Sequence, residues 1–423
     1  MRIAVASFGT RGDIEPSVAV ARELQRRGHE VRVAVPPNLV GFVESTGLAT
    51  VAYGLDTREG LDANREFWTL LFHNFWKIHD LSRSWRGVWE PVAELWAHMT
   101  TALLSLADGA DLLLTGLNFE QGAANVAEYY DIPLATLHFF PIRPNGQLLG
   151  NLPSPLMRSG MTMLGWLSWR LLTKKLEDAQ RRELGLPKAT GPSPQRFAER
   201  GSLEIQAYDE VCFPGLATEW AKWNGRRPFV GPLTLELPTE ADDEVTSWIA
   251  AGTPPIFFGF GSFPIESPAD TVEMIGAACA QLGERALICS GGTDFSDVPH
   301  FDHVKVVGAV NYAAVFPACR AVVHHGGAGT TAASLRAGVP TLILWTMPDQ
   351  PIWGAQFKRL KVGASRRFSA TTRESLAADL RRILAPECAT RARELATRIS
   401  TPAESVAKAA DLVENFAGSR RLV

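Results

Sequence analysis

Short apolar runs alternate along this chain with stretches whose apolar residues recur at helical spacing, and the plan is laid down twice. Arg2–Phe8 reads as a first strand buried on both faces, with Gly9–Asp13 as the turn after it. Val18, Ala21 and Leu24 make a helical stripe that Gly28 ends, and Glu30–Val35 is the second strand. This is a βαβ unit, with Pro16 in a first helical turn, where proline is tolerated. Leu112–Thr115, Leu134–Phe140 and Leu203–Ala207 supply further strands, with a loop insertion at Pro187–Pro194. Arg226–Pro238 is rich in Pro and Gly and reads as a linker. Beyond it the pattern restarts, with strands at Ile256–Phe260, Ala286–Ser290 and Val304–Val307, one ending at Val322-Val323, and one at Thr341–Leu344. Helices are expected near Ala269–Leu282, from Thr330 to Gly338 and over Ile352–Leu360; GASRRFS then leads to the last helices. The expected class is α/β, with Rossmann-like halves at 1–225 and 239–400, a linker at 226–238 and a final helix about 401–423.

Two stretches carry more apolar surface than this plan requires. In Asn64–Met99, Trp68, Phe72, Phe75 and Trp76 fall at i, i+4, i+7 and i+8, and Trp85, Trp89, Val92 and Trp96 keep the rhythm. Pro91 is expected to kink or split that segment. Leu156–Leu172 is the second, with Met157, Met161, Met163, Trp166 and Trp169. Two readings stay open: core packing of two amphipathic helices, or an apolar wall for a large apolar ligand or for membrane lipid.

Composition narrows the field. The 423 residues are 46% hydrophobic and 21% charged with a net charge of −3, so no basic face points to nucleic acid. The five cysteines are odd in number and form no CxxC pair, which suits reduced thiols in a cytoplasmic compartment rather than a disulfide frame or a zinc site. The N-terminus reads as a strand and turn, not a signal peptide, and no apolar run approaches the ~18 residues of a spanning helix.

The densest chemistry lies in Val322–Gln350, VVHHGGAGTTAASLRAGVPTLILWTMPDQ. Gly326, Gly327 and Gly329 around Ala328 allow positive φ and close approach of a ligand to the backbone. The first turn of the helix that follows leaves amide N–H groups unpartnered at the positive end of its dipole, a natural phosphate site. The alternative is a tight strand–helix turn that happens to carry two histidines. Asp13, in GTRGDIEP, reads from the residues alone as an N-cap of the first helix.

HHGGAGTT followed by GVP and then PDQ, together with GTRGDIEP near the start, resembles the family of nucleotide-sugar glycosyltransferases that includes the glycopeptide-antibiotic, macrolide, sterol and plant natural-product enzymes. The resemblance covers nearly the whole chain and is strongest at 9–16, 228–233, 257–263 and 322–350; RGHEVRVAVPPNLVGFVE looks like actinobacterial relatives, including those that place deoxysugars such as rhamnose on glycolipids and lipopeptides. It implies the two-domain GT-B fold, inversion at the anomeric carbon, a UDP- or dTDP-sugar donor, and no metal or other cofactor. It also implies that the terminal helix packs back on the first half.

By the same resemblance His325 contacts the diphosphate, Gly327, Ala328, Gly329 and Thr330 offer it donors, and Asp349 and Gln350 hold sugar hydroxyls. Thr10, Arg11, Gly12, Ser262 and Gly292 join the donor site, and Val310 and Asn311 read the base. Asp13 is the implied catalytic base. Trp68, Phe72, Phe75, Trp76, Phe119, His138 and Trp345 are the implied acceptor contacts, although His138 reads equally well as a satisfied core histidine. The acceptor is then a hydrophobic natural product, sterol or lipid, which fits peripheral contact with the inner face of a membrane. Two rivals share this fold: a sugar-nucleotide 2-epimerase, which needs no second substrate, and a non-catalytic binder, which needs no Asp13. The opening turn has GxxG rather than GxGxxG spacing, which argues against an NAD enzyme.

Overall fold

The computed structural model describes residues 1–57, 78–148, 153–223, 225–261, 265, 267–347 and 349–420, with backbone alone for 78–91. Trp68, Phe72, Phe75, Trp76 and Ser262 lie outside the described residues, as do the side chains of Trp85 and Trp89.

The apolar runs form two six-stranded, all-parallel sheets. The first holds β1 (Arg2–Ala6), β2 (Glu30–Val35), β3 (Ala49–Ala52), β4 (Leu112–Thr115), β5 (Leu134–His138) and β6 (Leu203–Gln206), in the order β3-β2-β1-β4-β5-β6. The second holds β7 (Ile256–Gly259), β8 (Ala286–Cys289), β9 (Val304–Val307), β10 (Ala321–His324), β11 (Thr341–Trp345) and β12 (Gly363–Arg367), in the order β12-β11-β10-β7-β8-β9. Counted within its own half, each sheet has the doubly wound Rossmann order, and each therefore has one switch point: β1/β4 in the first, β7/β10 in the second. Central strands such as β4 and β7 are buried throughout because helices cover both faces. The polar GASRR segment is a strand all the same. It pairs with the open edge of β11, where arginine side chains stay half-exposed. A period-based reading misses such an edge strand because its pairing partner, not its own pattern, orders it.

The helices that position the site are α1 (Arg11–Arg26), α2 (Ile78–Ala107), α3 (Glu120–Tyr129), α4 (Ser154–Ser168), α5 (Lys174–Glu183), α6 (Ser193–Arg200), α7 (Pro268–Leu282), α8 (Ala328–Ala337), α9 (Gln350–Leu360), α10 (Arg373–Ile383), α11 (Pro386–Ala396) and α12 (Pro402–Arg420). Pro91 does not split α2. The helix continues through it because Trp96, Met99, Leu103 and Leu106 of the later turns are buried, and that burial outweighs one lost hydrogen bond. Pro16 falls in the second turn of α1 rather than the first, where it gives up one intrahelical hydrogen bond.

The halves are joined at three levels. Ala409, Ala410, Val413 and Ala417 of α12 lie in the core of the first half, and Arg27 and His29 pair with Glu414. Tyr208, Phe213 and Trp220 of the first half share an apolar cluster with Trp353, Phe357 and Leu395 of the second. The two chain crossings lie against each other: a Cβ on Gly231 (φ 86°) would meet Ser405 Oγ at 2.5 Å and Ser400 Cβ at 2.6 Å. One part-buried guanidinium ties them together. Arg336, in the last turn of α8, donates to the Pro232 carbonyl (2.5 Å), Thr234 Oγ1 (2.5 Å) and the Ser400 carbonyl (2.8 Å). Glu15 of α1 holds the next piece of linker by accepting from Leu235 N at 2.8 Å.

Arg336→Met keeps the aliphatic stem and removes three charge-assisted donors to buried acceptors. It should lower unfolding stability by about 2–4 kcal/mol, read as a reduced urea midpoint with far-UV circular dichroism unchanged. An unmoved midpoint would show that the crossings hold without it.

Candidate active site

The first switch point is built by the turns that follow β1 and β4. Gly9 has φ 136°, and a Cβ there would fall 2.4 Å from Asp13 Oδ2, so only glycine lets the carboxylate lie on the turn. Thr10 is the N-cap of α1 and Asp13 is its third residue, not the cap itself. The two form a capping box in which Asp13 Oδ2 accepts from Thr10 N (2.7 Å) and Thr10 Oγ1 (2.9 Å). Both of these bonds use Oδ2, and the Asn118 side chain, which follows β4, also reaches the carboxylate. Asn118 is itself held by donation to the Phe8 carbonyl at 3.0 Å. Burial pushes the Asp13 carboxyl up to about 6 against the pull of the Thr10 bonds, and repulsion from Asp349 adds to the rise.

The second switch point is built by the turns after β7 and β10. His324 is fully buried; its Nδ1 accepts from Gly326 N at 3.0 Å and so shapes the turn. His325 is the forward histidine. A Cβ on Gly261 would lie 2.5 Å from its Cε1 and a Cβ on Gly327 2.5 Å from its Nε2. The imidazole is therefore clasped between two glycines, with its Nε2 edge against the N-cap of α8. Burial pushes His325 down to about 4, so the ring is neutral at pH 7 and can donate one hydrogen bond without competing as a buried charge. A Cβ on Gly329 would meet nothing within 4 Å, which leaves open space at the first turn of the helix. Gly327, Ala328, Gly329 and Thr330 thus form a helix start that faces outward beside His325, the arrangement that binds phosphate.

Other expected contacts have structural duties. Gln350 is buried, and its Oε1 accepts from Thr346 N (2.8 Å) and Met347 N (2.9 Å), so it clamps the loop rather than presenting that oxygen to a sugar. Its neighbour Asp349 is exposed, and partial desolvation pushes its carboxyl up. Asn311 caps a short helix through Ala313 N at 3.1 Å, and its own N–H goes to Asp242 Oδ1 at 2.8 Å. Val310 is buried in the core beneath it. Gly292 N donates to the Gly261 carbonyl at 3.0 Å. Thr10 Oγ1 is committed to Asp13, while Arg11 and Gly12 are exposed on the rim, Arg11 lying 4.6 Å over the Phe42 ring.

On the acceptor side, Phe119 sits at φ 59° ahead of α3, its ring edge-on to Phe8 and Trp96. Trp345 is half-buried at the end of β11 with Arg367 over its ring. His138 does not line the cleft. It is fully buried and bonded to Glu120 at 3.1 Å, inside an ionic cluster where Arg143 also pairs with Glu120 and Glu204, and Glu204 with Arg227. His138 is the satisfied core histidine.

Asn118, Glu15 and Arg336 went unrecognised in the sequence. Each acts on a residue made its neighbour only by strand order or by the chain crossing. The two switch points also face each other: Asp349 raises the Asp13 carboxyl, and Arg11 bears on Tyr312 of the second half.

The chain is similar to known proteins along its length. Residues 3–97 match the glycosyltransferase family 28 N-terminal domain and residues 272–415 the erythromycin biosynthesis protein CIII-like C-terminal domain. An uncharacterized glycosyltransferase of Mycobacterium bovis is 62% identical over 424 residues, covering 100% of both chains. A sterol 3-beta-glucosyltransferase of Arabidopsis thaliana is 28% identical over 97% of this chain and 67% of its own length. Among solved structures, the glycotransferase of kitacinnamycin superposes with a TM-score of 0.71 at 19% identity, covering 98% of this chain and 99% of its own. The glycosyltransferase VinC in complex with dTDP gives 0.64 at 19%, covering 99% and 100%. With two facing Rossmann halves, a phosphate-type helix start and full-length relatives at this identity, the chain belongs to the family 1 GT-B glycosyltransferases and is a glycosyltransferase of the mycobacterial type.

Proposed function

We propose that the enzyme transfers a hexose or deoxyhexose from a UDP- or dTDP-sugar to a hydroxyl of a hydrophobic acceptor, with inversion and without a metal. The observation that carries this reading is the opposition of two sites. A carboxylate held on Gly9 feels the charge of Asp349 from the second half, and Ala328, at the open helix start beside the neutral His325 imidazole, packs against the core of the first half. The diphosphate rests on the first-turn amides of α8, with His325 Nε2–H as a further donor. Preorganised donors of this kind stabilise the charge that develops on a leaving diphosphate. Asp349 takes a sugar hydroxyl.

Asp13 accepts the proton of the acceptor hydroxyl as that oxygen forms its bond to the anomeric carbon. The bond from that carbon to the diphosphate oxygen breaks on the opposite face, and its electron pair leaves with the nucleotide. Oδ2 is held by Thr10, so Oδ1 is the oxygen that takes the proton. A carboxyl raised to about 6 is a stronger base than an ordinary aspartate yet remains ionised at pH 7. The apolar acceptor is supported by Phe119 and the neighbouring Phe8 and Trp96 rings, and by the sterol-acting relative.

Asp13→Asn keeps the size of the side chain and one acceptor oxygen. It should cut kcat by about 10²–10⁴ while calorimetry finds dTDP and UDP affinity within error of the parent. Retained transfer would assign the base elsewhere, and lost binding would make Asp13 chiefly a cap.

In the parent enzyme, kcat/KM should climb about tenfold per pH unit below about 6 and level off above it, because the base works ionised. A flat profile from pH 4.5 to 8 would remove Asp13 from the proton transfer.

His325→Ala should weaken dTDP or UDP binding by about 10–100-fold, in line with the loss of a donor to a charged group, and leave binding of the free nucleoside unchanged. Parent binding should be insensitive to EDTA; affinity that disappears with the chelator would overturn the metal-free reading.

A further inference from the structure

Helix α4 and the π-helical turn after it (Trp169–Thr173) form one rod over Ser154–Thr173, about 30 Å long at helical rise. Its inner face buries Met157 and Trp169, the latter donating from Nε1 to Glu177 at 2.7 Å. Its outer face carries Leu156, Met163, Leu164, Trp166, Leu167 and Leu171, each between 44% and 70% exposed. Met163, Leu167 and Leu171 follow one another at i, i+4 and i+8, so they share a face that points away from the buried pair. A helix that is apolar on both sides belongs to a core or to lipid, yet this one stands on the surface. Scattered apolar residues need no explanation, but a contiguous stripe of six does.

The charges say what covers it. From Ile132 to Leu176 the chain has no Asp or Glu, while Arg158, Arg170, Lys174 and Lys175 lie on or beside the rod. Arg158 pairs with Glu219 and Lys174 with Asp178. Arg170 lies 5.5 Å over the Trp166 ring, and Lys175 is exposed. An apolar stripe with an indole, flanked by Arg170 and Lys175, for which the described residues show no acid partner, is the pattern of a helix lying in a membrane interface. A second copy docked face to face would set these like charges against each other. A small acceptor needs a concave site, and this face is convex.

We propose that the outer face of Ser154–Thr173 docks on an anionic phospholipid surface. The rod lies in the interface and does not cross it, since no described helix is long and apolar enough to span a membrane. The chain reaches the rod from the carboxyl end of β5, the edge of the sheet where the β1 and β4 turns carry Asp13 and Asn118. The docking stands independently of the transferase reading.

The experiment is vesicle flotation of the full chain with phosphatidylcholine alone and with phosphatidylcholine containing phosphatidylglycerol, at low and physiological salt. The parent should float with the anionic vesicles and stay down with the neutral ones. The double variant Met163→Ser/Leu167→Ser should partition about tenfold less or weaker still. Arg170→Gln/Lys175→Gln should lose the preference for phosphatidylglycerol. Both variants should bind dTDP or UDP as the parent does, which checks the fold and keeps failure of docking distinct from failure of the donor site. A parent that floats with neither vesicle, or an apolar double variant that floats as well as the parent, overturns the proposal. So does a dimer in sedimentation equilibrium that Met163→Ser/Leu167→Ser dissociates, because the face is then covered by a second copy.

Discussion

The two-sided structure depends on what one short helix does at its two ends. At its start, α8 projects unpartnered amides beside His325. In its last turn, Arg336 binds the outgoing linker at Pro232 and Thr234 and the returning chain at Ser400. A guanidinium carries five donors and, once partly shielded from water, needs acceptors for them; here three come from the two crossings. The same ten residues therefore carry both the helix start proposed to hold the diphosphate and the clamp between the two chain crossings. Burial lowers the Arg336 guanidinium to about 10, still well above neutral pH, so the clamp stays charged.

Electrostatics divide the cleft into a basic carboxylate and a neutral imidazole. Asp13 rises because it loses water and faces Asp349; His325 falls because it is packed between glycines with little to stabilise a proton. The folded state thus favours protonated Asp13. This stabilising contribution is complete below the ordinary carboxylate range and is lost as pH rises through about 6. Buried neutral His325 works the other way: its contribution is present above the ordinary histidine range and is lost as pH falls towards about 4. At neutral pH the chain keeps a carboxylate that folding would rather protonate, the kind of strain expected where a proton is to be taken.

The outer face of Ser154–Thr173 extends the same logic from the cleft to the surface. Apolar side chains on an outward-facing helix gain nothing in water, and Arg170 and Lys175 beside them gain most against an anionic layer. The first half thus carries two separate apolar features, the aromatic edge at Phe8, Phe119 and Trp96, and the exposed outer face of Ser154–Thr173.

By itself the sequence determined the strands with strong apolar runs, the doubling of the βαβ plan, the Gly-rich turn with His325 at its head, and the place of Asp13 at the end of β1. These are local: periodicity, glycine and helix-start chemistry act within a few residues. Tertiary structure decided the rest. GASRR became an edge strand because β11 offered unpaired groups, and α2 ran on through Pro91 because its later turns were buried. His138 became core because Glu120, Arg143, Glu204 and Arg227, far apart in sequence, converge around it. Gln350 turned inward because its own loop supplied N–H groups for its oxygen to accept. Asn118 met Asp13 only because β4 lies beside β1. Strand order and chain crossings bring distant residues into contact, and a one-dimensional pattern carries no term for that proximity.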